Sequence, residues 1–194
     1  MRKTAASIAV IGAALALAAC GSKPGSDSND AITVRNGQAA QTAAGPAPAE
    51  TRGQDFVSAV LGQYAFALSS AKLLGEKADS AGARQFAQTM SADFGASLDD
   101  LKRIATAGQL KLEPVAGPTD QSDLAVLSSA RGVNAEKAFA DQQQDRLSAL
   151  LGLIRAYKNG GDNPELKAWA EKAQNVVNDR LLAVQTLKAE LDEK

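Results

Sequence analysis

The sequence predicts an all-α protein, an up-down four-helix bundle with one short extra helix, and three observations predict it. Apolar residues recur at steps of three and four from about residue 53 to Lys194, the spacing that lays them along one stripe of a helix. No segment sustains the apolar–polar alternation with β-branched enrichment that a strand requires. Gly, Pro, Asn and Ser cluster at only a few places, and these divide the region into four long segments and one short one.

In the first segment Val57, Leu61, Tyr64, Leu68 and Ala71 step by four, three, four and three. Ser80 and Gly82 break it from the second, where Phe86, Met90, Asp93, Ser97, Leu101 and Ile104 follow one stripe. Gly108 ends that segment, and Pro114, Gly117 and Pro118 make a connection. Thr119 with Asp120 and Asp123 starts a short helix through about Ala130, and Asn134 is placed to cap the next. The third long segment carries Phe139, Gln143, Arg146, Leu150, Leu153 and Tyr157. Asn159-Gly160-Gly161 stops it, and Asn163-Pro164 is a strong start, with Asn as N-cap and Pro at the first helical position. The fourth stripe runs through Leu166, Trp169, Ala173, Val177, Arg180, Val184, Leu187 and Leu191, with Trp169 expected in the core. Helices of about 25 residues are ~38 Å long, and short turns between helices of matched length favour antiparallel neighbours. Ala65, Ala87 and Ala173 would let the helices approach closely.

The N-terminus has a different character. Arg2 and Lys3 precede an uncharged apolar stretch from Ala5 to Ala19, shorter than the roughly 20 residues a spanning helix needs. A basic start, a short apolar run and small residues at its end read as a secretory signal peptide. Leu17-Ala18-Ala19-Cys20 resembles the lipobox of bacterial lipoproteins, and Cys20 is the one cysteine in the chain. The resemblance implies that residues 1–19 are removed, that Cys20 carries the lipid, and that the protein sits on a bacterial membrane. Gly21 and Ser22 stand where an inner-membrane retention signal would carry Asp, so the outer membrane, facing the periplasm, is the expected location. Two acyl chains or more give stable anchoring, where one is marginal. Residues 20–52, rich in Gly, Ser, Pro, Ala, Asn, Gln and Thr, read as a disordered tether with a reach of roughly 30 Å. Residues 53–194 read as one domain of ordinary size, and no second apolar run is expected to approach membrane-spanning length.

Composition excludes several chemistries. The chain has no histidine, so a Ser-His-Asp triad has no base. With Cys20 lipidated there is no disulfide, thiolate nucleophile or sulfur ligand. The formal net charge of -1 becomes -3 once Arg2 and Lys3 are removed, and no Lys/Arg cluster remains to bind phosphates, so nucleic acid is not an expected partner. Ser69-Ser70-Ala71-Lys72 matches the S-x-x-K of penicillin-binding enzymes without the companion motifs. Asp27-Ser28-Asn29-Asp30 has the flavour of a calcium loop but lacks the downstream Gly and Glu. Glu76, Asp99, Asp100 and Glu171 fall on outer faces and read as solvated charge rather than an acid/base pair.

Three stretches taken together carry a resemblance: Phe86-Ala87-Gln88-Thr89-Met90-Ser91-Ala92-Asp93-Phe94; Leu101-Lys102 with Gly108 through Leu112-Glu113-Pro114; and Pro164-Glu165-Leu166-Lys167-Ala168-Trp169-Ala170. In order and spacing they resemble the bacterial ferritin-like family called "domain of unknown function 4142", over about residues 53 to 190. The resemblance implies a ferritin-like bundle in an exported protein and implies no established activity. It also implies an inward polar set: a Glu on the first helix, an Asp-His pair on the second, and a His on each of the last two long helices. This chain departs at every histidine. The Glu position falls at Ala67, the pair is Asp93-Phe94, the last His position is Arg180, and Gln142 to Leu147 holds no His. Di-metal bundles need several Glu together with Glu-x-x-His pairs. Here only Asp93, with Asp145 as a further candidate, remains inward, so neither a metal nor another cofactor is expected, and no catalytic residue is assigned.

Asp93, Arg146 and Arg180 lie on the apolar stripes of three helices, where an isolated charge is costly to desolvate. Their placement predicts a buried polar site in which Asp93 pairs with Arg180, Arg146 or both. The competing expectation is that the Arg stems snorkel outward and Asp93 meets water. If the pair is buried, removing one partner should cost about 3–5 kcal/mol, while replacing both should be nearly neutral. The function this reading favours is a membrane-tethered, non-catalytic module that binds or supports something in the cell envelope, with an envelope protein as a candidate partner. The alternative is a metal- or oxidative-stress-linked ferritin-like enzyme with ligands of another kind.

Overall fold

The computed structural model describes residues 52–193; the expected signal peptide 1–19, Cys20 and the expected tether as far as residue 51 lie outside them. Five helices follow one another: α1 (Gly53–Lys77), α2 (Ala81–Ala107), α3 (Asp120–Ser129), α4 (Gly132–Gly160) and α5 (Pro164–Asp192). There is no strand among the described residues.

Local chemistry sets most of the ends. Ser80 caps α2 by accepting from the Ala83 N–H, and Asn163 caps α5 by accepting from the N–H groups of Glu165 and Leu166, with Pro164 at the first turn. Such caps satisfy backbone donors that have no partner inside the helix. Gly108 ends α2 as the sequence predicts, with an ordinary φ of -80°, and Gln109, at φ 56°, takes the left-handed conformation. Leu110 N–H then donates back to the Ala105 carbonyl, the long-loop bond of a Schellman ending. Asn134 does not cap α4, because the helix already starts at Gly132. Gly132 itself is left-handed at φ 55°, and a Cβ there would collide with the Asp79 carboxylate.

Contacts at the two ends of the bundle fix the helix directions. The Asp162 carboxylate, in the α4–α5 turn, accepts from Gly53 N–H at the start of α1, and Gln54 bonds to Lys111 just past α2. At the opposite end Glu136, early in α4, binds Asp79 and Ser80 in the α1–α2 turn. So α1 and α5 run one way, and α2 and α4 the other. Residues 108–131 cross the full length of the bundle to make this possible, the single long connection of ferritin-like topology. The helices pack in the ring α1–α2–α5–α4, and every neighbouring pair in that ring is antiparallel.

The core is one cluster to which all five helices contribute. Phe56 stacks on Tyr157 (centroids 3.9 Å apart) and meets Trp169 edge-on at 5.8 Å. One layer further along, Tyr64 stacks on Phe94 at 4.7 Å, and near the other end Phe86 meets Phe139 edge-on. Ala87 and Ala173 are buried as small contact residues, whereas Ala65 is exposed. Leu68, Ser97, Ile104 and Leu153 sit half-buried at the edges of their stripes. α1 is, against the sequence expectation, long and apolar enough by composition to cross a membrane; here its apolar residues, Phe56, Val57, Val60, Tyr64 and Leu74 among them, are buried in the bundle.

Candidate functional site

The layer where a ferritin-like ligand set would stand is built from α1, α2, α4 and α5. Ala67 and Phe94 are both buried there, and the Phe94 ring is covered by Tyr64. The Tyr64 hydroxyl lies 3.1 Å from Ser97 Oγ, while the Ser97 carbonyl accepts from Trp169 Nε1 at 3.0 Å. Ser97 thus serves the polar tips of two core aromatic side chains, which otherwise lack partners in an apolar layer. Burial pushes the Tyr64 hydroxyl up to about 12.

One turn further along, Gln143 on α4 is wholly buried and donates through Nε2 to Ser70 Oγ at 2.8 Å. Ser70 in turn donates to the Ala67 carbonyl. The Gln143 Oε1 has no protein partner. Gln143 lay on the sequence stripe, but Ser70 did not.

The three charged stripe residues do not form one cluster. Arg180 Nε stands 3.3 Å from Asp93 Oδ2, yet the same Nε has no hydrogen-bond partner of adequate alignment, so the contact is one of charge rather than a directed bond. The Asp93 side chain is 38% exposed and that of Arg180 17%, a seam at the surface of α2 and α5 and not an interior site. Arg146 turns the other way, to α3. It donates to Asp120, to Asp123 at 2.7 Å and to Thr119 at 2.9 Å, and its guanidinium lies 4.1 Å above the Phe66 ring. The Arg146 hydrogen bond holds the Asp123 carboxyl below its ordinary range. Asp145 is exposed, so it is not the second inward carboxylate.

The buried carboxylate is instead Glu136, 1% exposed. Its Oε1 accepts from the N–H groups of Asp79 and Ser80 at 2.9 and 2.7 Å, and its Oε2 from Ser80 Oγ at 2.9 Å. A carboxylate at a helix N-terminus meets free N–H donors and the positive end of the helix dipole, so this one is satisfied without a cation. The signal was present in the sequence, because Glu136 lies three residues before Phe139 and extends that stripe by one step.

The arrangement does not fit a ferritin-like metal centre. Ala67 and Phe94 offer no donor atom, Arg180 repels cations, and Glu136 is fully engaged by donors. Among the described residues no three His, Cys, Asp or Glu come close enough to hold an ion. What the layer can do chemically is pack and hydrogen-bond. Beside it, on the α2–α5 seam, is a shallow cleft of about 240 Å³ lined by Asp93, Ser97, Trp169, Lys172 and Val176 among others.

Comparison with curated proteins and with solved structures finds no match. The sequence profile of one family, described as "Domain of unknown function (DUF4142)", matches residues 38–187. That span takes in all of α1 to α4 and most of α5, together with residues ahead of the first helix, and the chain is therefore a member of the DUF4142 family.

Proposed function

We propose that this protein is a membrane-tethered, non-catalytic module of the bacterial cell envelope. In this reading it is lipidated at Cys20, faces the periplasm from the outer membrane, to which Gly21 and Ser22 would sort it, and binds or supports an envelope component. The observation that carries the non-catalytic half is the filled ligand layer: Ala67 and Phe94 occupy, as buried apolar packing, two positions that the family resemblance assigns to metal-binding side chains. The tether half is supported by Leu17-Ala18-Ala19-Cys20 and by a segment up to Arg52 that is poor in large apolar residues.

Metabolic labelling with palmitate tests the tether. The full chain should take up label and fractionate with membranes, and Cys20→Ala should abolish the label and hinder processing. Labelling that survives Cys20→Ala would refute lipidation at this residue.

A further inference from the structure

We propose that residues 109–131 form a latched strap, which swings off the bundle as one unit and widens a half-open apolar pocket on α1, with Arg146 as the latch. The proposal goes beyond the tethered-module reading and does not depend on it.

The strap is attached in an unusual way for a segment that crosses a whole bundle. Its helix, α3, buries a single side chain, Leu127, and Val115 and Val126 point outward at 62% and 53% exposure. Leu110 and Ala130, near the strap's two ends, pack half-buried against the core, and the attachments between them are mostly polar and near the surface. Gln54 exchanges two hydrogen bonds with the Lys111 backbone, and Val115 N–H donates to the Ser58 carbonyl at 3.0 Å. The Arg146 fork then grips Asp120, Asp123 and Thr119, while Asp120 also accepts from Gly117 N–H. A segment with few buried apolar contacts and exposed hydrogen bonds opens at a lower free energy than the core.

Two further features define the unit. Gln109 and Gly132, one at each end, are the two residues at positive φ among those described, so the chain changes course where the strap begins and ends. At its middle the strap rests on Gly62, where a Cβ would collide with the Val115 carbonyl. Glycine inside a helix costs roughly 1 kcal/mol relative to alanine, and the close seat of the strap gives Gly62 a reason to stand there. Beside this seat lies a half-open pocket of about 200 Å³, walled by Gly62, Ala65 and Phe66 of α1, Pro114 and Ala116 of the strap, and Leu124 of α3. The Arg146 guanidinium covers the Phe66 ring beside it, so releasing the latch also bares that ring.

Native-state hydrogen exchange on the full chain tests this. In the unaltered protein the amide of Val115, bonded to Ser58 across the seat, and those of Asp123 and Ala130, bonded within a ten-residue helix too short to hold once detached, should share one opening step, reached at lower denaturant than the opening of Ile154 and Val177 in the bundle. Gly62→Ala and, separately, Arg146→Leu should speed exchange of the three strap amides together by about tenfold or more, leaving the two bundle amides unchanged. Using two variants on different elements guards against one of them unfolding the protein. The proposal is overturned if the strap amides open only with the bundle, if they respond one at a time, or if neither variant moves them.

Discussion

Asp93 and Arg180 show how far a side chain's position along a stripe predicts its partner. Both lie at register positions that face a neighbouring helix, and they do meet. Depth is the part that a stripe does not encode: each sits at the edge of its stripe, where a long side chain reaches water. Exposed and half-exposed ion pairs contribute about 0–1 kcal/mol. Asp93→Leu, Arg180→Leu and the double variant should therefore give a urea cycle with coupling below about 1 kcal/mol; a larger coupling would mean that the pair behaves as a buried one. Arg146 was placed on the same kind of stripe, but its partners come from α3, whose docking leaves no periodic trace in sequence. Ser70 and Ser97 were invisible as partners for the same reason, since their roles depend on Gln143, Tyr64 and Trp169 reaching them from other helices. The two tyrosines of the chain also make a pH prediction. Burial pushes Tyr64 up to about 12, and burial together with the hydrogen bond to Asp162 moves Tyr157 in the same direction. Because the folded values lie above the unfolded value of about 10, this contribution to stability is fully present below pH ~10 and is lost as pH rises through the folded values. Urea midpoints should be level through neutral pH and decline above pH ~10, with tyrosinate absorbance appearing as the protein unfolds; free titration of both phenols at their ordinary value in the folded state would contradict the burial.

Helix ends were legible where a short side chain acts on its own backbone. Ser80 and Asn163 are such cases: each accepts hydrogen bonds from N–H groups two or three residues ahead, so the pattern is local. The start of α4 was not legible, because Gly132 turns left-handed against Asp79 and the helix is then held by Glu136 reaching the α1–α2 turn. Asn134, two residues inside, carried the more familiar cap signal and misled. The end of α2 falls at Gly108, where the sequence puts it. Gly108 attracts attention as the breaker, while the chain places Gln109 in the conformation that glycine tolerates best. A left-handed non-glycine residue costs roughly 1–2 kcal/mol, partly offset in a replacement by the extra freedom of glycine in the unfolded chain. Gln109→Gly should accordingly stabilise the protein by about 0.5–1 kcal/mol in urea unfolding. A loss of stability would show that the glutamine side chain makes a contribution greater than its backbone strain.

At the scale of the whole molecule, the all-α bundle was legible because the apolar stripes run with little interruption through four long segments, and each becomes a face of one core. Its directions were less so. Short turns join α1 to α2 and α4 to α5, but only the contacts of residues 108–131 reveal that the connection between the pairs spans the full length, leaving α2 and α4 parallel across the ring. Family membership was legible from three stretches whose order and spacing stand in a chain without histidine. The layer where the resemblance would place ligands is filled by Ala67, Phe94 and a Tyr64 stack. The account stands on this layer being packing and not a metal centre, and metal linkage tests that most directly. A ligand that binds the native state stabilises it by an amount that grows with its concentration over Kd. The urea midpoint of the full chain should be the same in chelator as with added iron, manganese or zinc. A saturable rise in stability of more than about 1 kcal/mol with any of these ions would contradict the account and favour a ferritin-like metal enzyme.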